Sequence, residues 1–300
     1  MIHEKAILTV SQSEDKAKTS TGGSRYLPEE PLIKIRGSRS WTLINLREIW
    51  LHRELLYFLT WRDLKARYKQ TLLGISWIVL QPLLMTLVFT VVLGKLVRVP
   101  TGNVPYPLFL YSGLLPWIFF SNAVSSGSYS LVVNAHMITK VFFPRLILPA
   151  SAVGVRVSDF LVASLIIIVF LIYYGVHPGW MLLILPLLVI ELTLLALALS
   201  VWLSALNVRY RDIGTALPVV LQLWMFASPI VYPATLVPGR WKWLYDLNPL
   251  TGIIEGFRGA LLGLPINRGS LITSVITTMV LLVWSIFVFR HMEDDFADVV

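Results

Sequence analysis

The sequence predicts an all-α polytopic membrane protein with six transmembrane helices, and three observations support this class. Six long apolar stretches follow one another between Leu72 and Phe289, and 56% of the 300 residues are hydrophobic. The mean hydropathy is +0.72. A helix needs roughly 20 apolar residues to cross the hydrocarbon core of a bilayer, which is about 30 Å thick. Lipid offers the backbone no hydrogen bonds, so each stretch is expected to be a helix.

The apolar stretches define the predicted transmembrane domain, 72–290. Their bounds are 72–93, 105–133, 146–174, 180–208, 213–233 and 269–289. Only the third and the fourth contain charged residues, which are Arg156, Asp159 and Glu191.

The charge distribution predicts the orientation of the chain. Residues 1–40 are polar, contain no apolar run as long as a signal-peptide core, and are expected to form a flexible cytoplasmic tail. Placing the N-terminus inside puts most of the 25 Lys and Arg residues on the cytoplasmic side. The C-terminal tail, 291–300, then also lies in the cytoplasm. The net charge of +8 indicates the topology, because the basic residues flank the membrane spans. No nucleic-acid partner is therefore expected.

Residues 41–71 predict an amphipathic helix along the inner membrane surface. Apolar residues such as Leu55 and Leu59 recur near helical spacing, and Arg62, Lys65 and Arg67 are interspersed. Such a helix places its apolar face in the headgroup region and its basic residues near anionic lipid. The alternative is a helix that docks on a soluble partner.

Two pairings are open for the charged residues inside the spans. Arg156 and Glu191 both lie near mid-depth, where an unpaired charge costs at least about 2.5–3.5 kcal/mol. One hypothesis pairs Arg156 with Glu191 across two helices. The other pairs Arg156 with Asp159, one turn along the same helix, and leaves Glu191 protonated or facing water.

The loop 134–145 combines basic residues with a bulky apolar group. Its candidate docking residues are Lys140, Val141, Phe142, Phe143, Pro144 and Arg145. No lipid covers such a surface on the cytoplasmic side, so we expect it to insert into a groove on a soluble partner.

The segment 238–264 predicts a short re-entrant or interfacial helical hairpin at the outer surface. Asn248 and Pro249 precede an apolar piece that is too short to span the membrane. Glu255 and Arg258 lie three residues apart and share a helical face. An ordinary extracytoplasmic loop is the alternative.

Small hydroxyl residues fill the inner half of the second span, among them Ser121, Ser125 and Ser126. They either allow close helix packing or line a water-filled path. Aromatic side chains near the spans either stack on sugar rings or serve packing and interface anchoring. These aromatic candidates are Trp117, Phe120, Tyr129, Trp224 and Tyr232.

Catalysis is not expected on this chain. The sequence lacks a phosphate cradle ending in Gly-Lys-Ser/Thr and a Gly-x-Ser-x-Gly nucleophile elbow. The five histidines are scattered and cysteine is absent. We therefore expect no cofactor or metal on this chain.

Five motifs occur in order along residues 41–290. They are 61–71 (Trp-Arg-Asp-Leu-Lys-Ala-Arg-Tyr-Lys-Gln-Thr), 140–144 (Lys-Val-Phe-Phe-Pro), 207–213 (Asn-Val-Arg-Tyr-Arg-Asp-Ile), 228–230 (Ser-Pro-Ile) and 247–250 (Leu-Asn-Pro-Leu). Together with the topology, they make the chain resemble a permease of the type-2 ATP-binding-cassette exporters. The resemblance is to the branch that exports O-antigen lipopolysaccharide, capsular polysaccharide and teichoic acid.

This resemblance implies a homodimer of six-helix subunits bound to two copies of a separate cytoplasmic ATPase, which holds the ATP and Mg²⁺. It implies that 134–145 is a coupling helix, about 51–70 an interface helix, and 238–264 a pair of gate helices. The cargo is then an undecaprenyl-type, lipid-pyrophosphate-linked glycan that crosses a bacterial inner membrane between the two permeases. Arg62, Lys65 and Arg67 are candidates to meet the pyrophosphate, or alternatively lipid headgroups.

Two rival functions stay open on the sequence. One is a type-2 exporter of a drug or a lipid. The other is a membrane channel or enzyme that needs no ATPase.

Overall fold

The computed structural model describes residues 50–69, 76–141 and 143–293. The predicted N-terminal tail, most of the predicted C-terminal tail and the predicted docking residue Phe142 lie outside these ranges. Within the described ranges the chain is helical and contains no strand, which confirms the all-α class.

Ten α-helices occur in the described ranges. They are Arg53–Lys69 (α1), Ser76–Phe89 (α2), Tyr106–Val133 (α3), Ala135–Lys140 (α4), Ile147–Tyr174 (α5), Leu185–Arg209 (α6), Asp212–Phe226 (α7), Lys242–Asp246 (α8), Pro249–Leu262 (α9) and Arg268–Glu293 (α10). A π-helical segment, Thr90–Leu96, continues α2, and a 3₁₀ turn, Trp180–Ile184, leads into α6.

Five helical segments of the described chain are long and apolar enough to cross a membrane. They are Ser76–Leu96, Tyr106–Val133, Ile147–Tyr174, Trp180–Arg209 and Arg268–Glu293. Five of the six predicted spans correspond to these segments.

The remaining predicted span, 213–233, differs from the structure. Helix α7 ends at Phe226 and has 15 residues, which is about 22 Å at 1.5 Å per residue. Turns follow it around Pro229. Proline cannot donate a backbone hydrogen bond, and it disfavours helical geometry in the residue before it. The predicted single helix over 213–233 is therefore too long.

Helix α3 lies at the centre of the bundle, where α5, α6 and α9 pack around it. The hydroxyl of Tyr111 donates to the carbonyl of Ala163 in α5 at 2.8 Å. Gly127 lies directly against Ser200 of α6. Small residues at this position let α3 and α6 approach closely.

Helix α1 is attached to the bundle through its buried side. Leu59 of α1, Leu131 of α3, Phe143, Ala205 of α6 and Phe289 of α10 belong to one apolar cluster. The other side of the same segment is exposed and aromatic, with Trp50, Tyr57, Phe58 and Trp61.

The contacts distinguish two ends of the bundle. The cluster around Leu59 also contains Ile138 of α4, and we call this the α4 end. At the opposite end, the α9 end, α9 contacts the first turns of α6 and α10 through Gly256 and Gly252. Helix α7 begins with Gly214 against Tyr129 of α3. It therefore runs from the α4 end toward the α9 end.

Candidate functional site

The α4 end joins the predicted interface helix to the predicted coupling loop. The Arg62 guanidinium of α1 lies 3.2 Å from Asn134 Oδ1 and 3.4 Å from Met137 Sδ. It also pairs with Asp63 at 2.8 Å. The Asn134 amide donates to the carbonyl of Ser130 at 2.8 Å, where α3 ends. These contacts connect the loop to α1 and to the end of α3.

The loop exposes only part of the predicted docking group. Lys140 is exposed, and Val141 is 56% exposed. Phe143 is 6% exposed because it fills the apolar cluster of the α4 end. Its prediction as an exposed docking residue is wrong. Pro144 is half-buried, and Arg145 donates to the backbone carbonyl of Glu293.

The carboxylate of Asp159 binds the charged and polar side chains that lie between α1 and α5. Asp159 accepts from Arg156 at 3.2 Å and from Arg67 at 2.9 Å. The Tyr68 hydroxyl also donates to Asp159. Burial, followed by this hydrogen bond, raises the pKa of Tyr68 to about 12. Tyr68 therefore keeps its proton at physiological pH and remains a donor.

The structure decides between the two predicted pairings of Arg156. Its guanidinium contacts Asp159 and also donates to Ser126 of α3 at 2.9 and 2.5 Å. The predicted cross-helix pair with Glu191 does not form, because Glu191 lies toward the α9 end beside Ser274, at 2.6 Å. Glu191 does not face water, since it is 6% exposed.

A cleft of about 120 Å³ with a largely apolar lining opens beside this charge cluster. Its polar lining residues are Arg67, Tyr68, Gln81, Asn122, Arg156 and Asp159. Apolar side chains such as Trp77 and Phe160 complete the lining. Of the three pyrophosphate candidates, only Arg67 reaches the cleft. Lys65 is exposed with its Nζ 5.2 Å from the ring of Trp61, and Arg62 contacts the predicted coupling loop.

Asn248 connects α7 to the start of α9. Its Oδ1 caps α9 by accepting from the backbone N–H of Leu250 at 3.1 Å, and it also accepts from Trp224 Nε1 at 3.1 Å. Its Nδ2 donates to Ser228 Oγ at 2.9 Å. Pro249 follows at the first helical position, where a missing N–H costs nothing. These two residues thus form the start of α9.

Arg258 lies inside the protein rather than on the face of a surface hairpin. Its side chain is 3% exposed, and one Nη donates to the carbonyl of Ile230 at 2.7 Å. The guanidinium carbon lies 3.6 Å from the ring centre of Phe109, which is a cation–π contact. Glu255 is half-buried. Helix α9 is a packed element of the bundle because α3, α6 and α10 cover it.

Two of the five aromatic candidates are buried, and the other three are partly or largely exposed. Trp117 and Phe120 are buried, and Phe120 meets Trp224 edge-on at 5.4 Å between ring centres. This arrangement is core packing. The hydroxyl of Tyr232 donates to the carbonyl of Phe226 at 2.8 Å. Tyr129 is 40% exposed and is the most accessible of the five in the described chain.

Two residues of the site were not among the individual candidates from the sequence, although Asn207 is the first residue of the motif 207–213. Asn207 is 2% exposed, donates to the carbonyl of Ser128 at 3.0 Å and accepts from the N–H of Gly214 at 3.2 Å. An asparagine inside an apolar run indicates a side chain that joins two backbone groups by hydrogen bonds. Ser274 carries no comparable signal, because one serine in an apolar helix is common.

The fold and these contacts define an all-helical multi-pass membrane protein. In the part of the chain that the structure describes, no three His, Cys, Asp or Glu residues come together as metal ligands. Residues 54–262 match the family profile of the ABC-2 type transporter. This match covers more than half of the chain, so the chain belongs to that family. It is a membrane component of a transporter and not an enzyme.

Relatives of established name support this membership. The chain is 31% identical over 248 residues to O-antigen export system permease protein RfbA of Klebsiella pneumoniae. The aligned region covers 82% of this chain and 95% of that protein. It is 30% identical over 257 residues to RfbA of Myxococcus xanthus, covering 84% and 98%. It is 23% identical over 240 residues to polysialic acid transport protein KpsM of Escherichia coli, covering 78% and 91%.

Proposed function

We propose that the chain is the permease subunit of an exporter for a lipid-linked polysaccharide of the O-antigen type. The observation that carries this proposal is the similarity to O-antigen export permeases over more than four fifths of the chain. Export proceeds across the bacterial inner membrane. A separate ATPase, present in two copies, binds ATP and Mg²⁺ and drives it.

The α4 end is proposed to receive the ATPase. Lys140 and Val141 are exposed beside the short helix α4, and an exposed apolar residue next to a basic one suits a groove on a soluble partner. The contacts of Arg62 with Asn134 and Met137 link this loop to α1. Movement of the ATPase then reaches the interface helix through a direct polar contact.

The substrate path is proposed to form between two copies of the chain. Helices α2 and α7 expose large apolar side chains such as Leu87, Val88, Val219 and Leu223, which suit contact with lipid or a second subunit. Arg67, at the cleft beside Asp159, is proposed to meet the pyrophosphate of the carrier lipid. Lys65 is proposed to meet lipid headgroups beside the exposed aromatic residues of α1. Tyr129 is proposed to contact sugar rings along the path.

The α9 end is proposed to be the outer gate, with Asn248, Pro249, Glu255 and Arg258 as its parts. If α7 and the turns after it together cross the membrane, the chain crosses it six times and both termini lie in the cytoplasm. The contacts of Gly214 with Tyr129 and of Trp224 with Asn248 support this crossing.

The test of function uses a bacterial strain deleted for this gene and a purified complex. The intact chain, expressed with its partner ATPase, is expected to restore glycan at the cell surface. Lipid-linked glycan is expected to stimulate ATP hydrolysis by the complex, and the chain alone in vesicles is expected to transport nothing uphill. Stimulation by a drug or a simple lipid, without glycan, would replace this proposal with another type-2 export function.

A further inference from the structure

Three helices meet at one serine hydroxyl near the α9 end. Ser274 Oγ of α10 lies 2.6 Å from Glu191 Oε1 of α6 and 2.6 Å from the carbonyl oxygen of Pro249 in α9. Ser274 is 0% exposed and Glu191 is 6% exposed. Both distances are within the range of O–H···O hydrogen bonds. Two hydrogen bonds therefore run through one hydroxyl oxygen.

The two bonds need two hydrogen atoms. A serine hydroxyl supplies one hydrogen and accepts through its lone pairs, whereas a backbone carbonyl and an ionised carboxylate only accept. If Ser274 donates to Pro249, the contact with Glu191 requires a hydrogen on the carboxyl group. If Ser274 donates to Glu191 instead, the carbonyl of Pro249 and Ser274 Oγ lie 2.6 Å apart without a hydrogen between them.

The surroundings of Glu191 also favour the neutral acid. The ion pairs among the described residues involve Arg62, Arg67 and Arg156 as cations, and none reaches Glu191. Arg258, the cation within α9, donates to Ile230 and stacks on Phe109. A buried carboxylate without a cation is strongly disfavoured, so such a group takes up a proton instead.

Close packing keeps these three oxygens together. A Cβ atom at Gly252 would clash with the backbone of Ser270, so α9 approaches α10 as closely as a glycine allows. A Cβ atom at Gly256 would lie 2.9 Å from Leu188 of α6. The segment of α9 from Gly252 to Gly256 is therefore held between α10 and α6.

We propose that Glu191 is a protonated positioning residue. Its carboxyl O–H donates to Ser274 Oγ, and the Ser274 O–H donates to the carbonyl of Pro249. This chain of two hydrogen bonds fixes the start of α9 to α6 and α10. The consequence for export rests on the proposed role of α9 in the outer gate, whereas the protonation of Glu191 does not.

The protonation is tested by infrared difference spectroscopy on the full-length purified chain in lipid nanodiscs at neutral pH. The difference between the wild type and Glu191→Gln is expected to contain the C=O stretch of a protonated carboxylic acid. Ser274→Ala is expected to shift this band, because the carboxyl group loses its acceptor. Glu255→Gln, which changes the half-buried carboxyl of the same region, is the matched control and is expected to leave the band in place. Loss of ionised-carboxylate bands in Glu191→Gln, with no protonated band, would overturn the proposal.

The positioning role is tested by comparing two replacements of similar size. Gln offers an N–H to Ser274 and is expected to keep glycan export near the wild-type level, whereas Leu offers no donor and is expected to reduce it about tenfold, as for a lost buried hydrogen bond. Each rate is normalised to the amount of folded protein measured by size exclusion. Equal export by Glu191→Gln and Glu191→Leu would refute the positioning role. If the wild type itself restores no export, the proposed function fails, and the spectrum still decides the protonation.

Discussion

Arg67 Nη1 of α1 lies 2.9 Å from Asp159 Oδ2 in the middle of α5. Arg156 and Tyr68 share the same carboxylate. Asp159 is 14% exposed, Arg156 18% and Arg67 40%. A single acidic side chain thus pairs with two cations and attaches α1 to the transmembrane bundle.

Asp159→Asn is expected to lower the free energy of unfolding by about 2 kcal/mol, because it leaves two guanidinium groups beside each other without a carboxylate. Thermal unfolding of the purified chain measures the loss. Asp63→Asn is the control, since Asp63 forms a partly exposed ion pair with Arg62 on the same helix and its replacement should cost about 0–1 kcal/mol. Equal unfolding temperatures of the two variants would contradict the central role of Asp159.

Val141→Asp is expected to abolish co-purification with the partner ATPase and to leave the fold intact, because Val141 is exposed at the α4 end. Phe143→Asp is expected to destabilise the chain itself, since it places a charge in an apolar cluster. Co-purification and thermal unfolding separate the two effects. Leu236→Asp, an exposed position outside the α4 end, should retain the ATPase. Retention by Val141→Asp as well would exclude the loop as the docking surface.

Arg240→Cys is expected to react with a membrane-impermeant maleimide in intact cells with a permeable outer membrane, whereas Lys140→Cys should react only after lysis. The chain contains no cysteine, so each introduced thiol is the only reactive one. If α7 and its following turns do not cross the membrane, position 240 lies inside and stays unlabelled. The experiment therefore decides between six crossings and five.

Gly113→Ala is expected to destabilise the chain by about 1–3 kcal/mol, as overpacking does. The new Cβ atom would lie 2.8 Å from an Nη of Arg258 and 3.2 Å from the carbonyl oxygen of Ile230. The buried guanidinium would have to leave its hydrogen bond and its place over Phe109. Gly179→Ala is the control, because nothing lies within 4 Å of its added Cβ atom. Equal thermal midpoints would show that Arg258 moves without cost.

The spans were predictable because hydropathy is a local property of consecutive residues. The limit of α7 was harder to predict, since Ala227–Tyr232 is as apolar as the helix before it and only the geometry around Pro229 ends the helix. The partner of Arg156 was undetermined for a different reason. Counted along the sequence, Asp159 and Glu191 both lie near the depth of Arg156, and only the packing of the helices places Glu191 toward the α9 end beside Ser274.

The amino-acid sequence by itself determined the helical class, five of the spanning segments and the resemblance to type-2 exporters, because each follows from the composition and order of neighbouring residues. The tertiary structure alone decided that Phe143 is buried, that Arg258 lies against Phe109 and that Glu191 shares Ser274 with Pro249. These outcomes depend on contacts between residues far apart in the chain. The energy of such a contact depends on distance and burial, and a local sequence pattern contains neither quantity.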